Sequence, residues 1–195
     1  MPARRPTPSC DTAVVSTSPA VPTDDGATDH LPGRELPRLV LPSTDGGRVD
    51  LSTFSAGRTV LYAYPMTARP GVDLPGNWDE IPGARGCTPE ACSFRDHHAE
   101  LAQRGATVFG VSSQDTAYQR EAVERLRLPF AMLSDVDLTL ADALRLPTFE
   151  ADGKQLYRRL TMIAAAGRVE YVFYPVFPPE GHADEVLRWL DAHPA

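Results

Sequence analysis

The chain has 195 residues, of which 42% are apolar, so it can build one domain of ordinary size with a real hydrophobic core. Its formal net charge of −7 argues against a nucleic-acid partner, and no apolar run approaches the ~20 residues of a membrane helix. The N-terminus carries Arg4 and Arg5 without the apolar stretch of a secretory signal, so we expect a cytoplasmic protein in a reducing compartment.

The first part of the chain predicts a tail, a hairpin and a long loop. Residues 1–32 are rich in Pro, Ser, Thr, Ala and Asp without a hydrophobic period, which predicts a disordered tail ahead of a domain at 33–195. Apolar residues flank the turn-forming run at 44–47, which indicates a β-hairpin. The apolar run at 59–64 is typical of a buried strand. Residues 66–86, rich in Pro and Gly, predict an inserted loop that is functional or mobile.

Helical and strand patterns alternate through the rest of the chain. In order, they predict a helix that follows Cys87 and ends at Gly105, a strand at 107–112, a helix at 116–127, a strand at 130–133, a short helix ending at 144, a hairpin of 160–164 and 169–174, and a last helix at 181–193. Such alternation predicts an α/β fold with a central sheet covered by helices on both faces.

Two of the three cysteines, Cys87 and Cys92, lie at the start of a predicted helix. Thr88 is expected to be its N-cap and Pro89 its first residue, which places Cys87 just before the helix N-terminus. Free N–H groups and the positive end of the helix dipole stabilise a thiolate there. A reactive cysteine with a second one nearby to trap its oxidised form is typical of a redox centre. Cys10, in the predicted tail, is expected to have no catalytic part.

The spacing of the two cysteines limits how they could bond. Cα atoms five residues apart on a regular helix are separated by about 8–9 Å. The Cα atoms of bonded cysteines are seldom more than about 7 Å apart. A disulfide between Cys87 and Cys92 would therefore require the first turn of the helix to unwind.

The sequence gives less support to other roles for these cysteines. With His97 and His98 they offer four zinc ligands, but zinc ligands usually come in close pairs, and these side chains face different ways around one helix. We therefore expect no metal site. The C-x-x-C motif of thioredoxin-type reductases is absent. The residues alone leave open that Cys87 and Cys92 are ordinary buried side chains.

From about Leu36 to His193 the sequence resembles the peroxiredoxins, and among them most the bacterioferritin-comigratory or Q-type group. The resemblance rests on spaced segments in the right order, which are YAYP at 62–65, GCTPEACSFRD at 86–96, GVS at 110–112, LPF at 128–130 with LSD at 133–135, and RLT at 159–161. It implies a thioredoxin fold with an N-terminal β-hairpin extension and a central mixed sheet. It also implies thiol-dependent reduction of hydrogen peroxide or organic hydroperoxides without a cofactor.

The resemblance also implies roles for individual residues. Cys87 would be the peroxidatic cysteine, Cys92 the resolving cysteine, and Arg159 the arginine that holds the thiolate and the peroxide. We expect the helix N-terminus and Arg159 to keep Cys87 mostly ionised. An internal disulfide would form and be reset by a thioredoxin-like or other dithiol protein, in a monomer or a homodimer.

One departure from the family pattern concerns the residues before Cys87. The family has a threonine three positions before this cysteine, whereas this chain has Ala84 there and the inserted loop 66–86 ahead of it. We hypothesise that the loop folds over the pocket as a lid and that Thr67 supplies the missing hydroxyl contact. The apolar anchors of this lid would be Trp78 and Ile81. Alternatively, the insertion makes the chain a redox sensor, a partner-binding module or a specialised tailoring protein with weak peroxidase activity.

Overall fold

The computed structural model describes residues 20–54 and 57–194, and its elements follow the alternation that the sequence predicts. The strands are β1 (Val40–Pro42), β2 (Arg48–Asp50), β3 (Arg58–Ala63), β4 (Ala106–Ser112), β5 (Met132–Ser134), β6 (Thr148–Ala151), β7 (Lys154–Tyr157), β8 (Leu160–Ala165) and β9 (Arg168–Phe173). The helices are α1 (Cys87–Asp96), α2 (His98–Gln103), α3 (Thr116–Leu126), α4 (Thr139–Leu144) and α5 (His182–Ala192). No helix within these described ranges is long and apolar enough to cross a membrane.

The central sheet is mixed, as predicted. Its strands lie in the order β5-β4-β3-β8-β9. β3, β4 and β5 run parallel to one another, whereas β8 pairs antiparallel with β3, and β9 pairs antiparallel with β8. The N-terminal hairpin is confirmed as the antiparallel pair β1–β2, and a bridge between Ser43 and Leu133 connects it to the sheet.

Alternate side chains of β3 enter two separate hydrophobic cores. Val60 and Tyr62 pack with apolar residues of α1, α3 and α5 in one core. Leu61 and Ala63 pack with residues of α4 and of the N-terminal segment in the other. Because successive side chains of a strand point to opposite faces, this pattern places covering layers on both sides of the sheet. The predicted covering of the central sheet on both faces is confirmed.

The packed part of the chain begins earlier than the sequence predicts. Leu31 is fully buried in the second core although it falls in the predicted tail. Asp25 accepts hydrogen bonds from the Tyr174 hydroxyl (3.0 Å) and from Arg158 (3.3 Å). Asp25 and Leu31, two residues of the predicted tail, therefore contact the domain. Cys10 lies outside the described residues, so its expected lack of a catalytic part stays a prediction.

The helix predicted to run as far as Gly105 is divided into α1 and α2 at His97. The backbone of His97 is not helical (φ −100°, ψ 7°). Its ring Nδ1 lies 2.9 Å from the carbonyl oxygen of Ser93, so the side chain competes with the backbone for this acceptor. Gly105, with φ of +71°, follows the end of α2 in the left-handed conformation, as predicted.

The hairpin β6–β7 is absent from the elements that the sequence predicts. Its two-residue turn is Asp152-Gly153, and both residues have positive φ, which is the signal that could have identified it. The hairpin packs against the inserted loop, where Trp78 is buried with its ring centroid 6.1 Å from that of Phe149. The predicted apolar anchoring of loop 66–86 by Trp78 is confirmed, and Ile81 packs half-buried on the same cluster.

Candidate functional site

Helix α1 begins at Cys87 itself, so the predictions of Thr88 as the N-cap and of Pro89 as the first helical residue are wrong. Its N-cap is Gly86, whose φ of +102° favours glycine. A Cβ at this position would also overlap the ring of Pro179. Cys87 therefore occupies the first helical position, where backbone N–H groups lack intrahelical partners and the helix dipole is positive.

The Cys87 thiol is buried and contacts a backbone carbonyl and a guanidinium. It is a free thiol with 4% of its surface exposed, and it donates a hydrogen bond to the carbonyl oxygen of Ala84 at 3.6 Å. Nη2 of Arg159 lies 3.2 Å from the sulfur, although the two residues are 72 positions apart. The structure thus places a cation beside this sulfur.

The Arg159 guanidinium is fixed from several sides. It is 3% exposed, and its Nη2 donates to the carbonyl oxygens of Arg85 (3.0 Å) and Gly83 (3.3 Å). Its Nη1 forms an ion pair with Glu90, which is fully buried. A buried charge without partners would cost several kcal/mol, so these contacts determine where the guanidinium lies.

Glu90 is a residue of the site that the sequence analysis missed. It lies three residues after Cys87, on the same face of α1. An acidic residue in the first turn of a helix is stabilised by the helix dipole. The position of Glu90 in the sequence therefore gives no sign of a role in the site. Only the tertiary structure brings it to Arg159. Burial raises the pKa of the Glu90 carboxyl, although the charges of Arg159 and His182 oppose this shift.

The electrostatics of Cys87 differ from the expectation. Burial raises the pKa of the Cys87 thiol, the Arg159 guanidinium lowers it, and the Glu90 carboxylate raises it again. The net direction of the pKa is upward, whereas a mostly ionised Cys87 requires a lowered pKa, so the ionisation of Cys87 stays a prediction. Arg159 stays charged, because burial lowers its pKa but its interactions with Cys87 and Glu90 outweigh that effect and raise it.

The Thr67 hydroxyl has a partner other than Cys87. Thr67 is fully buried, and its N–H (2.9 Å) and its hydroxyl (3.1 Å) both donate to Oε1 of Gln114. The one hydroxyl hydrogen is thus directed at Gln114 rather than at the sulfur. A hydroxyl contact from Thr67 to the reacting group stays a prediction.

Cys87 and Cys92 are not bonded to each other in this structure. Cys92 is buried and disulfide-bonded, whereas Cys87 is free. Both belong to the continuous helix α1, so bringing their sulfur atoms together requires the first turn to unwind, as the sequence indicates. The resolving role of Cys92 stays a prediction.

The inserted loop forms part of the wall of the site. The carbonyl groups of Gly83 and Arg85, at its end, accept hydrogen bonds from Arg159. Arg85, which lies beside Cys87 in the sequence, pairs with Asp79 of the same loop.

Gln114 and Met66 also line a cavity of about 380 Å³, whose apolar walls include Tyr118, Val136, Leu138 and Leu156. In the described part of the chain, no three His, Cys, Asp or Glu side chains group so that they could hold a metal ion.

Comparisons with known proteins agree in pointing to one family. The family model described as Redoxin matches residues 31–187. Peroxiredoxin Q, chloroplastic, of Oryza sativa subsp. japonica is 32% identical over 160 residues, which are 82% of this chain and 66% of that protein. The chain thus spans slightly less than two thirds of these plant relatives. Peroxiredoxin Bcp of Escherichia coli strain K12 is 31% identical over 167 residues, which are 83% of this chain and 96% of that protein.

A solved structure supports the fold. The crystal structure of peroxidoxin BcpB from Mycobacterium tuberculosis has a TM-score of 0.69 and 29% identity, and it covers 85% of this chain and 100% of that chain. The predicted fold class, a thioredoxin fold with a central mixed sheet, is therefore confirmed.

Proposed function

Since the chain belongs to the peroxiredoxins of the Redoxin family, we propose that it is a thiol peroxidase that reduces hydrogen peroxide or organic hydroperoxides. The observation that carries this proposal is the free Cys87 thiol at the first position of α1 with the Arg159 guanidinium 3.2 Å from its sulfur. A thiolate is the nucleophile that cleaves a peroxide, and a fixed cation beside it stabilises the developing negative charge.

In the first step the Cys87 thiolate attacks the terminal oxygen of the hydroperoxide. A sulfur–oxygen bond forms and the oxygen–oxygen bond breaks, so the sulfur is oxidised to a sulfenic acid. The leaving oxygen takes up a proton and departs as water or an alcohol. Arg159 is placed to stabilise this oxygen, because its guanidinium is charged and its position is fixed by Glu90 and by loop carbonyls.

In the second step a Cys92 thiolate attacks the Cys87 sulfenic sulfur, which releases water and forms a disulfide. Cys92 must be released from its present disulfide before it can do this. The first turn of α1 must also unwind. A thioredoxin-like or other dithiol protein then reduces the bond by thiol–disulfide exchange. A cytoplasmic location and a monomeric or homodimeric state stay predictions.

The decisive test is stopped-flow oxidation of the reduced protein by hydrogen peroxide and by an organic hydroperoxide. One equivalent of hydroperoxide should be consumed per Cys87, followed by repeated turnover when a dithiol protein is added. Oxidation no faster than that of a free cysteine would contradict the proposal.

Replacing Cys92 with serine should leave sulfenate formation intact but stop recycling through the internal disulfide. The reason is that a serine hydroxyl cannot condense with the sulfenic acid to form a disulfide. Mass spectrometry of Cys87 after one equivalent of peroxide, together with steady-state turnover, measures both effects. Cys10→Ser is the matched control and should keep full turnover. If Cys92→Ser retains full turnover and Cys10→Ser loses it, Cys10 is the resolving residue instead.

The pH dependence of the reaction follows from the raised pKa of Cys87. Because only the thiolate reacts, the rate of oxidation should climb as the pH rises from neutral through the ordinary thiol pKa of about 8.5 and beyond. The native state holds this proton more tightly than the unfolded chain does. The protonated Cys87 thiol therefore stabilises the folded state below about pH 8.5. This contribution to the free energy of unfolding is lost as the pH rises through the folded pKa of Cys87.

Stopped-flow rates and urea unfolding across this pH range measure the two effects. In Cys87→Ser, the part of the alkaline decrease in the free energy of unfolding that is caused by ionisation of Cys87 should be absent. A rate that is already independent of pH at neutrality would show that the thiol is ionised there and would contradict the expectation.

The same burial and raised pKa favour a second candidate function, a redox sensor with slow Cys87 oxidation. A sensor would react slowly and keep its oxidised form in the presence of a dithiol protein. A peroxidase would be reduced quickly, so the lifetime of the oxidised form distinguishes the two.

A further inference from the structure

The Arg159 guanidinium lies between two acids. Its Nη1 forms the ion pair with Oε2 of Glu90, and its Nη2 lies 3.2 Å from the Cys87 sulfur. All three residues are buried, so water screens their charges weakly. One buried cation therefore contacts two groups that can each carry a negative charge.

The Glu90 carboxylate uses only one of its two oxygens in this ion pair. Oε2 contacts Arg159, whereas Oε1 is buried and has no hydrogen-bond partner among the described residues. Burying an oxygen without a partner costs free energy, and the cost is larger for a charged carboxylate than for a neutral carboxyl group. Oε1 can thus take up a proton while Oε2 keeps its contact with the guanidinium.

The number of protons on the two acids decides the net charge of this buried group. When Cys87 and Glu90 are both ionised, the three side chains carry one excess negative charge. When one of the two acids holds a proton, the three side chains are neutral together. Burying an unbalanced charge is costly, so the state with one proton is favoured over the fully ionised state.

The ionisable side chains of the same core add no charge to this group. Burial raises the pKa of Tyr62 and that of Tyr64, so both phenols of the β3 region are neutral near neutral pH. Cys92, which belongs to the same core, is disulfide-bonded and does not titrate.

His182 packs on α1 from α5, with its ring centroid 5.6 Å from that of Phe94. Both of its ring nitrogens have partners outside the pair of acids. Nε2 lies 2.8 Å from Oγ1 of Thr161, and Nδ1 lies 3.0 Å from Oε2 of Glu185. His182 therefore acts on Glu90 through its charge alone and not through a hydrogen bond.

The second arginine near the site, Arg85, pairs with Asp79 of the inserted loop. In the described part of the chain, Arg159 is thus the one cation that contacts both Cys87 and Glu90. The two acids compete for a single positive charge.

We propose that Glu90 and Cys87 share one proton across the Arg159 guanidinium, so that an ionised Glu90 keeps Cys87 in its thiol form. The raised pKa of the thiol and the raised pKa of the Glu90 carboxyl, both caused first by burial, support this arrangement. The inference rests on the proposed function for the role of Cys87 as the reacting group, but its effect on the thiol is measurable without peroxide.

Glu90→Gln removes the acid and keeps an oxygen that can accept a hydrogen bond from Arg159. The guanidinium then faces only one acid, so the pH profile of Cys87 ionisation should move downward by about one pH unit, which is about tenfold more thiolate at neutral pH. The ionisation is followed by mass spectrometry of the Cys87 peptide after timed alkylation with iodoacetamide at a series of pH values.

The direction of this shift distinguishes the proposal from a purely structural role of Glu90. If Glu90 only held Arg159 in place, its replacement would loosen the contact between the guanidinium and the sulfur. Because that contact favours the thiolate, the profile of Glu90→Gln would then move upward.

The matched control is Glu100→Gln, which makes the same replacement at an exposed residue of α2 and should leave the profile unchanged. If Glu90→Gln is unfolded at the assay temperature, Glu90→Met is measured instead, since it also lacks the acid and its flexible side chain fills a similar space.

An alkylation profile of folded Glu90→Gln or Glu90→Met that stays in place or moves upward would overturn the proposal. An equal downward shift in Glu100→Gln would overturn it as well, because the effect would then belong to the net charge of the protein. The failure of the proposed function looks different, since the alkylation profiles would still separate the variants while none of them reduced peroxide.

Discussion

Replacing Cys87 with serine is expected to abolish peroxide turnover. A serine hydroxyl is not appreciably ionised near neutral pH, and no other thiol lies beside Arg159 among the described residues. The measurement is peroxide consumption in the presence of a dithiol protein. Since serine is similar in size to cysteine, the helix α1 should remain folded, which circular dichroism would verify.

The matched control is the same change at Cys10, which should leave oxidation by peroxide unaffected. Full turnover by Cys87→Ser would mean that the reaction takes place at another cysteine. The loss of turnover in Cys10→Ser alone would identify that cysteine as Cys10.

Replacing Arg159 with alanine is expected to slow the oxidation of Cys87 by roughly ten- to a hundredfold. The change removes a charge-assisted contact worth about 1.5–3 kcal/mol from the thiolate and from the leaving oxygen. The pKa of Cys87 should rise further, because the guanidinium is the main group that lowers it. Stopped-flow rates and the pH profile of alkylation report the two effects. The matched control is Arg158→Ala, which removes the neighbouring exposed arginine.

Arg159→Ala also leaves the Glu90 carboxylate buried without its partner, which should lower the free energy of unfolding by about 3–5 kcal/mol. The double variant with Glu90→Gln separates the two consequences. It should recover much of the stability, because the unpaired charge is gone, but it should not recover the rate. An oxidation rate and a Cys87 pKa that stay unchanged in both variants would exclude Arg159 from the site.

Local patterns in the sequence determine much of this fold. The apolar run at 59–64 predicts the buried strand β3, and strand geometry then places Val60 and Leu61 on opposite faces of the sheet, as the structure has them. The hairpin β1–β2 follows from its turn residues, and Asp115 caps α3 as its residue type predicts. Such features depend on neighbours in the chain, so the sequence alone specifies them.

The N-terminal limit of α1 needed the tertiary structure. Thr88 and Pro89 are good cap residues, yet the helix begins at Cys87, because Gly86 packs in a left-handed conformation against Pro179. The competing contact comes from a residue far along the chain. Local propensity is a weak prior, and tertiary packing overrides it here.

The sequence by itself determined the cysteine pair, and its resemblance to a family indicated Arg159. Only the tertiary structure decided the environment of these groups, including the burial of Cys87 and the ion pair of Arg159 with Glu90. The physical reason is that the pKa of a thiol depends on desolvation and on charges a few ångströms away. The cation Arg159 comes from a distant part of the chain, so the local pattern around Cys87 does not reveal whether its thiolate is favoured.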